Sequence, residues 1–170
     1  MQEFQQRNTA PAGELAQLAV PCTELTDFKT RKIGNFTRWV QILVLKPKGQ
    51  LTLVQTSREE FVRKIAGRFA ESPPDMDALS RRIREHLAKS GSAARIASTQ
   101  PIGATSEAFF VEMRGTAQVG SWSSPFSAVM AITTANRLPL GVYAFVTPKA
   151  KGDSPAETSM AYLRSVIDRN

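Results

Sequence analysis

The chain has 170 residues, 42% of them apolar and 22% charged, with one cysteine, one histidine and a formal net charge of +7. Such a chain is long enough to bury a core of its own, and its composition argues against wholesale disorder. The single Cys22 excludes an internal disulfide, and one Cys with one His (His86) excludes the usual zinc ligand sets.

Residues 1–12 read as a flexible leader ahead of one α+β domain over 13–170. The first nine residues are polar and hold no hydrophobic signal core. Two locations fit them: the start of a mature exported, periplasmic chain, or a cytoplasmic N-terminus. The longest apolar run, Trp39–Leu45, is broken by Gln41 and is far too short to span a membrane. Gly13–Val20 has the spacing of one or two helical turns, stopped by Pro21. Cys22 is expected to pack as a small buried hydrophobe. In Thr23–Lys32, Leu25 and Phe28 are the expected anchors.

Phe36–Lys46 is rich in β-branched and aromatic residues, and Leu51–Thr56 alternates. Pro47-Lys-Gly-Gln50 between them supplies turn chemistry, which predicts a β-hairpin. Ser57-Arg-Glu-Glu60 then has the form of a capping box. Phe61, Val62, Ile65 and Phe69 follow on one helical face, and Glu71-Ser-Pro-Pro74 ends the helix. A second helix is predicted from Ser72 to Ser90, with Met76, Leu79, Ile83 and Leu87 buried.

Arg95–Ile102 reads as a strand. The stretch Glu107–Lys149 holds three more, Ala108–Gly115, Pro125–Ala135 and Leu138–Pro148. Gly115, the loop Gly120-Ser-Trp-Ser-Ser-Pro125 and Asn136-Arg137 mark their boundaries. Short connections favour antiparallel neighbours. Ser154-Pro-Ala-Glu157 is a second capping box, opening a closing helix with Met160, Leu163, Val166 and Ile167 inward. The fold class is therefore α+β: an antiparallel sheet packed by a two-helix insertion and a C-terminal helix.

The element order, the bulky sheet positions Phe109-Phe-Val111 and the closing Tyr162-Leu-Arg-Ser-Val-Ile167 helix resemble the Mog1/PsbP-like superfamily over roughly residues 33–168. That family has one principal helix after its first hairpin where two are predicted here. The resemblance implies a non-catalytic binding or adaptor role and transfers no site residues.

Catalytic signatures do not emerge. His86 lies beside the Ile83/Leu87 stripe, where a helix flank explains it better than a general base does. Gly120-Ser-Trp-Ser lacks the second glycine of a nucleophile elbow. Asp75 and Asp77 suit helix capping better than a calcium loop. No phosphate-cradling or dinucleotide motif occurs, and no metal or cofactor is expected.

The charge of +7 invites a nucleic-acid reading. Yet residues 1–50 carry 7 basic against 4 acidic side chains, 51–90 carry 8 against 6, and 91–170 carry 7 against 5. An excess spread this evenly is not a phosphate-binding groove. The best local cluster is Arg81, Arg82, Arg84 and Lys89. The candidate partner-binding loop is Trp122 with Ser121 and Ser123, because a Trp set among small polar residues is a natural contact point if exposed. The alternative reading, and the favoured one, is that Trp122 folds back as a plug over the sheet edge with its indole N–H bonded locally. The expected function is a non-enzymatic binding or adaptor domain that contacts a protein partner or small ligand through sheet and loops. The alternatives are an unrecognised hydrolase built on His86 or Asp153, and a non-specific nucleic-acid binder.

Overall fold

The computed structural model describes residues 13–30, 37–46, 50–73, 92–119, 122–148 and 154–167, with positions 75, 77, 81 and 150. Six strands form one antiparallel sheet: β1 (Gly13–Ala19), β2 (Arg38–Leu45), β3 (Ser92–Ala104), β4 (Phe109–Val119), β5 (Trp122–Ala135) and β6 (Leu138–Val146), in the order β1-β2-β6-β5-β4-β3. A 3-10 turn at Cys22–Glu24 leads into the short α1 (Leu25–Lys29); α2 spans Arg58–Glu71 and α3 spans Pro155–Ile167. The expected α+β class is what forms. The expected leader lies outside the described residues, as does most of the second helix of the insertion, of which Asp77 and Arg81 are helical.

Strand alternation divides the apolar residues between two faces. On one, Val40, Ile42, Ala108, Phe110, Val129, Ala131, Val142 and Ala144 surround the fully buried Leu163 of α3, with Met160 alongside. On the other, Phe109 and Val111 meet Val62, Phe61, Ile65 and Phe69 of α2, together with Met130 and Ile132. A helix on each face explains why β4 reads Phe-Phe-Val without alternation, since both sides of the strand are buried. Both capping boxes form their first half: Glu60 N–H donates to Ser57 Oγ at 3.2 Å and Glu157 N–H to Ser154 Oγ at 3.4 Å.

Expectations are corrected at four places in the chain. Gly13–Val20 is a strand, not helical turns. Its register against β2 shifts between Leu15 and Gln17, and that bulge interrupts the two-residue alternation by which a strand is recognised. Leu51–Thr56 is not a strand paired with 36–46, because β2 is occupied on both sides by β1 and β6. The segment runs instead to the β5–β6 turn, where Val54 N–H donates to the Arg137 carbonyl at 2.8 Å and Arg137 Nε donates back to the Val54 carbonyl at 3.2 Å. The expected 47–50 turn falls largely outside the described residues. Cys22 is exposed rather than buried, and Leu25 is 42% exposed rather than an anchor. The 3-10 turn is held instead by buried Glu24, whose carboxylate accepts the Thr37 N–H and hydroxyl. Fourth, Gly115 ends no strand and most of Gly120–Pro125 is no loop, since β4 runs to Val119 and β5 begins at Trp122.

The register also explains the prolines. Asn136 and Arg137 both have positive φ, 48° and 64°, the pattern of a two-residue type I′ turn whose flanking residues Ala135 and Leu138 bond to each other. Counting back in twos, the odd-numbered residues of β5 aim their backbone groups toward β6 and the even-numbered ones toward β4. Pro125 is odd and lies beyond the end of β6, so its missing N–H faces an open edge. By the same count Pro101 of β3, opposite Val111, faces the outer edge, and Pro139 of β6 lies past the last β2 partner, Val44. None removes a ladder bond. The outer strands β1 and β3 carry bulges as well, so each open edge is blunted against strand addition.

Candidate functional site

Strands β4 and β5 are longer than the body they belong to. Ser127 of β5 pairs with Val146, the last residue of β6, and Val146 pairs with Arg38, the first residue of β2. Beyond that line, among the described strands, only β3, β4 and β5 continue, with Ser92–Ile96, Gly115–Val119 and Trp122–Phe126 in register. Five residues of β5 thus project past the six-stranded body, about 17 Å at the usual strand rise.

This three-stranded arm has a different composition from its base. Among the described residues no buried hydrophobic lies between Met113 and Ala128. Arg95, Thr116, Gln118, Ser123 and Pro125 are exposed. From Gly115 through Asn136 the sequence holds no charged residue, so Arg95 of β3 is the one formal charge within the arm. At its root, on the face that carries α3, Glu112 accepts from Gln100 Nε2 at 3.1 Å and from the Arg114 guanidinium at 3.1–3.3 Å. There the sheet surface turns from apolar to polar.

The other face carries aromatic rings from the body toward the arm. Trp39 and Phe145, opposite each other in register, stack with centroids 4.7 Å apart and planes within 7°. Phe126 lies 5.9 Å and Tyr143 6.3 Å from Phe145. Two glycines let these rings lie flat. A Cβ on Gly115 would sit 2.9 Å from the Phe126 ring and 2.4 Å from the Arg95 carbonyl oxygen; one on Gly141 would sit 2.8 Å from the Tyr143 ring. Burial pushes the Tyr143 phenol up to about 12.

Of the residues singled out from sequence, Trp122 and Ser123 open β5 at the far end of the arm, and Ser123 is exposed. Ser121 lies outside the described residues, and so do Arg82, Arg84, Lys89, His86 and Asp153. Arg81 is exposed on helical backbone. Asp75 does cap locally, its Oδ1 accepting the Asp77 N–H at 2.9 Å. Among the described residues no group of three His, Cys, Asp or Glu side chains is placed to hold a metal, and no helix is long and apolar enough to cross a membrane. The arm itself was missed in the sequence, where its Gly, Ser and Pro content reads as a loop. Two signals mark it: the uncharged run from Gly115 to Asn136, and a Trp flanked by serines. No protein-family model and no curated protein matches this chain.

Proposed function

We propose that this protein is a non-enzymatic binding domain that engages a protein partner through the projecting β3–β4–β5 arm, with the Trp122–Ser123 end as the contact. The observation that carries it is the extension of three strands past the ends of β2 and β6 by residues of which, among those described, only Ile96 and Phe126 at the root join a hydrophobic cluster. Ordering such strands costs about 1–2 kcal/mol per residue of backbone entropy, and beyond Ile96 and Phe126 no described residue of the arm repays it by joining a hydrophobic cluster. A contact surface is the natural use for a costly, exposed, rigid element. The blunted edges mean that the partner meets the arm's faces and tip rather than adding a strand to it. The resemblance to the Mog1/PsbP-like superfamily and the sheet covered by helices on opposite faces agree with an adaptor role. An exported or cell-envelope setting in a bacterium belongs to the same reading.

Because Arg95 is the arm's single formal charge, its binding is expected to resist salt, unlike attraction driven by the +7 surface. The test is a capture from native extract at low and high salt, using wild-type protein beside a variant in which Asn-Gly replaces Thr116–Pro125. A partner retained at high salt by the wild type and lost from the variant supports the proposal. The same proteins captured by both forms would refute it, and nucleic acid eluted by salt from both would favour the charged-surface reading.

A further inference from the structure

The two faces of the arm are unlike. Counting along β4 in twos from Glu112, Arg114, Thr116 and Gln118 stand on the face that carries α3. Their neighbours in register, Arg95 of β3 and Pro125 and Ser123 of β5, share it. Arg95, Thr116, Gln118, Ser123 and Pro125 are all exposed, whereas Ile96, Gly115, Ser124 and Phe126 of the opposite face are buried or half-buried. Two cations stand in neighbouring rows of the exposed face. Arg95 lies opposite Thr116, two residues from Arg114, a diagonal that long side chains bridge. Arg114 is 66% exposed and donates through Nε and Nη2 to Glu112, which also accepts from Gln100 Nε2 and Ser127 Oγ. Nη1 of Arg114 is left outside that pair, and among the described residues nothing bonds to the Arg95 guanidinium.

We propose that this α3-side face of the arm is a docking surface for an acidic segment of a protein partner, with a carboxylate lying between Arg95 and Arg114. The inference rests on the arm as the contact element, and adds which face is used and what chemistry meets it. Charge complementarity selects the occupant. The one described carboxylate on this face, Glu112, is already engaged from three sides, which leaves two guanidiniums toward solvent on a chain of net charge +7. A guanidinium fork binds a carboxylate through two parallel N–H bonds. Further along, the Gln118 amide and the Thr116 and Ser123 hydroxyls both donate and accept, as a peptide backbone requires. A nucleic acid would need a run of cations along its phosphates, and two, one of them paired with Glu112, do not supply it.

The test titrates the isotopically labelled full chain with an octapeptide of alternating Glu and Ser, followed by amide chemical shifts, with the Gln-Ser octapeptide as the neutral counterpart. Saturable binding at about 1 mM or tighter is expected, with shifts confined to residues 95–100, 112–118 and 123–127. The Gln-Ser peptide and the Arg95→Gln variant should each bind roughly fivefold more weakly or worse. Lys64→Gln removes the same charge from an exposed position on α2 and should bind as wild type does. No saturable binding, shifts spread over the whole basic surface, or equal weakening by Lys64→Gln would overturn the proposal. An oligonucleotide that reproduces both the shifts and the loss in Arg95→Gln would overturn it too. A captured partner lost from the Asn-Gly replacement of Thr116–Pro125 but held by Arg95→Gln would sink this face while the arm stands; a partner held by both would sink the arm as well.

Discussion

The two halves of β4 and β5 are continuous strands that do different work. Within the six-stranded body, Phe109, Phe110, Val111, Val129 and Ala131 are buried between helices on opposite faces. A few residues on, with no break in register, the same strands carry Thr116, Gln118, Ser123 and Pro125 into solvent. The hydrogen-bond ladder is the same in both halves, and what changes is the apolar area removed from water. Burial at about 25 cal/mol per Å² of apolar surface holds the body together, and it reaches the arm at its root, where Ile96 and Phe126 join the cluster of Met113 and Ala128. A pleated ladder is thus a poor guide to where stability resides.

The largest effect that would sharpen this contrast is expected from Leu163→Ala. Leu163 is fully buried at the centre of the α3 face, and the cavity should cost about 3 kcal/mol, read from urea denaturation. A loss below about 1 kcal/mol would show that the body does not depend on this packing.

Gly115→Val probes the junction between the halves. The new Cβ would meet the Arg95 carbonyl oxygen at 2.4 Å and the Phe126 ring at 2.9 Å, so β3 or the ring must move. We expect a loss of about 1–3 kcal/mol and faster amide exchange confined to the arm. Protection lost across the body would contradict the separation of the two regions.

Ser57→Ala removes the cap of α2 and should cost about 1 kcal/mol, a yardstick taken from outside the sheet. A subtler probe uses pH. Burial holds the Tyr143 phenol at about 12, above its ordinary 10.0, so the folded state favours the neutral form. The stabilisation is fully present below pH 10.0 and is lost as pH rises through about 12, because the unfolded chain releases that proton first. Tyr143→Phe should flatten this part of the urea-midpoint profile while leaving titration common to both proteins. Parallel profiles would mean that the phenol is solvated.

Much of the body is legible in the sequence. The Asn136-Arg137 turn, both capping boxes and the apolar face of α2 are local chemistry, and the meander β3–β6 follows from short connections. What the sequence hides is set by distant partners. β1 is disguised by its bulge, and Leu51–Thr56 alternates like a strand although the position beside β2 is already taken. Past Ile96 and Phe126 the described residues of the arm join no hydrophobic cluster, and its strands lack the apolar alternation by which strands are recognised. Pro125 reads as a breaker until the register shows its missing N–H facing an open edge. The exposure of Cys22 follows from the Glu24–Thr37 contact, which couples residues 13 apart in sequence. Of the candidate site, Trp122 and Ser123 were visible as a polar-flanked aromatic, but their position on a projecting arm was not.

The most direct measurement is the thermal and urea stability of the variant in which Asn-Gly replaces Thr116–Pro125, joining Gly115 to Phe126 by a two-residue turn. These two residues already face each other in register, so the shortened hairpin can close without disturbing the strands below. We expect a folded protein within about 1 kcal/mol of wild type that has lost its salt-resistant partner. A variant that unfolds, or that keeps the partner, would show that the arm is part of the structural core or no part of the binding surface.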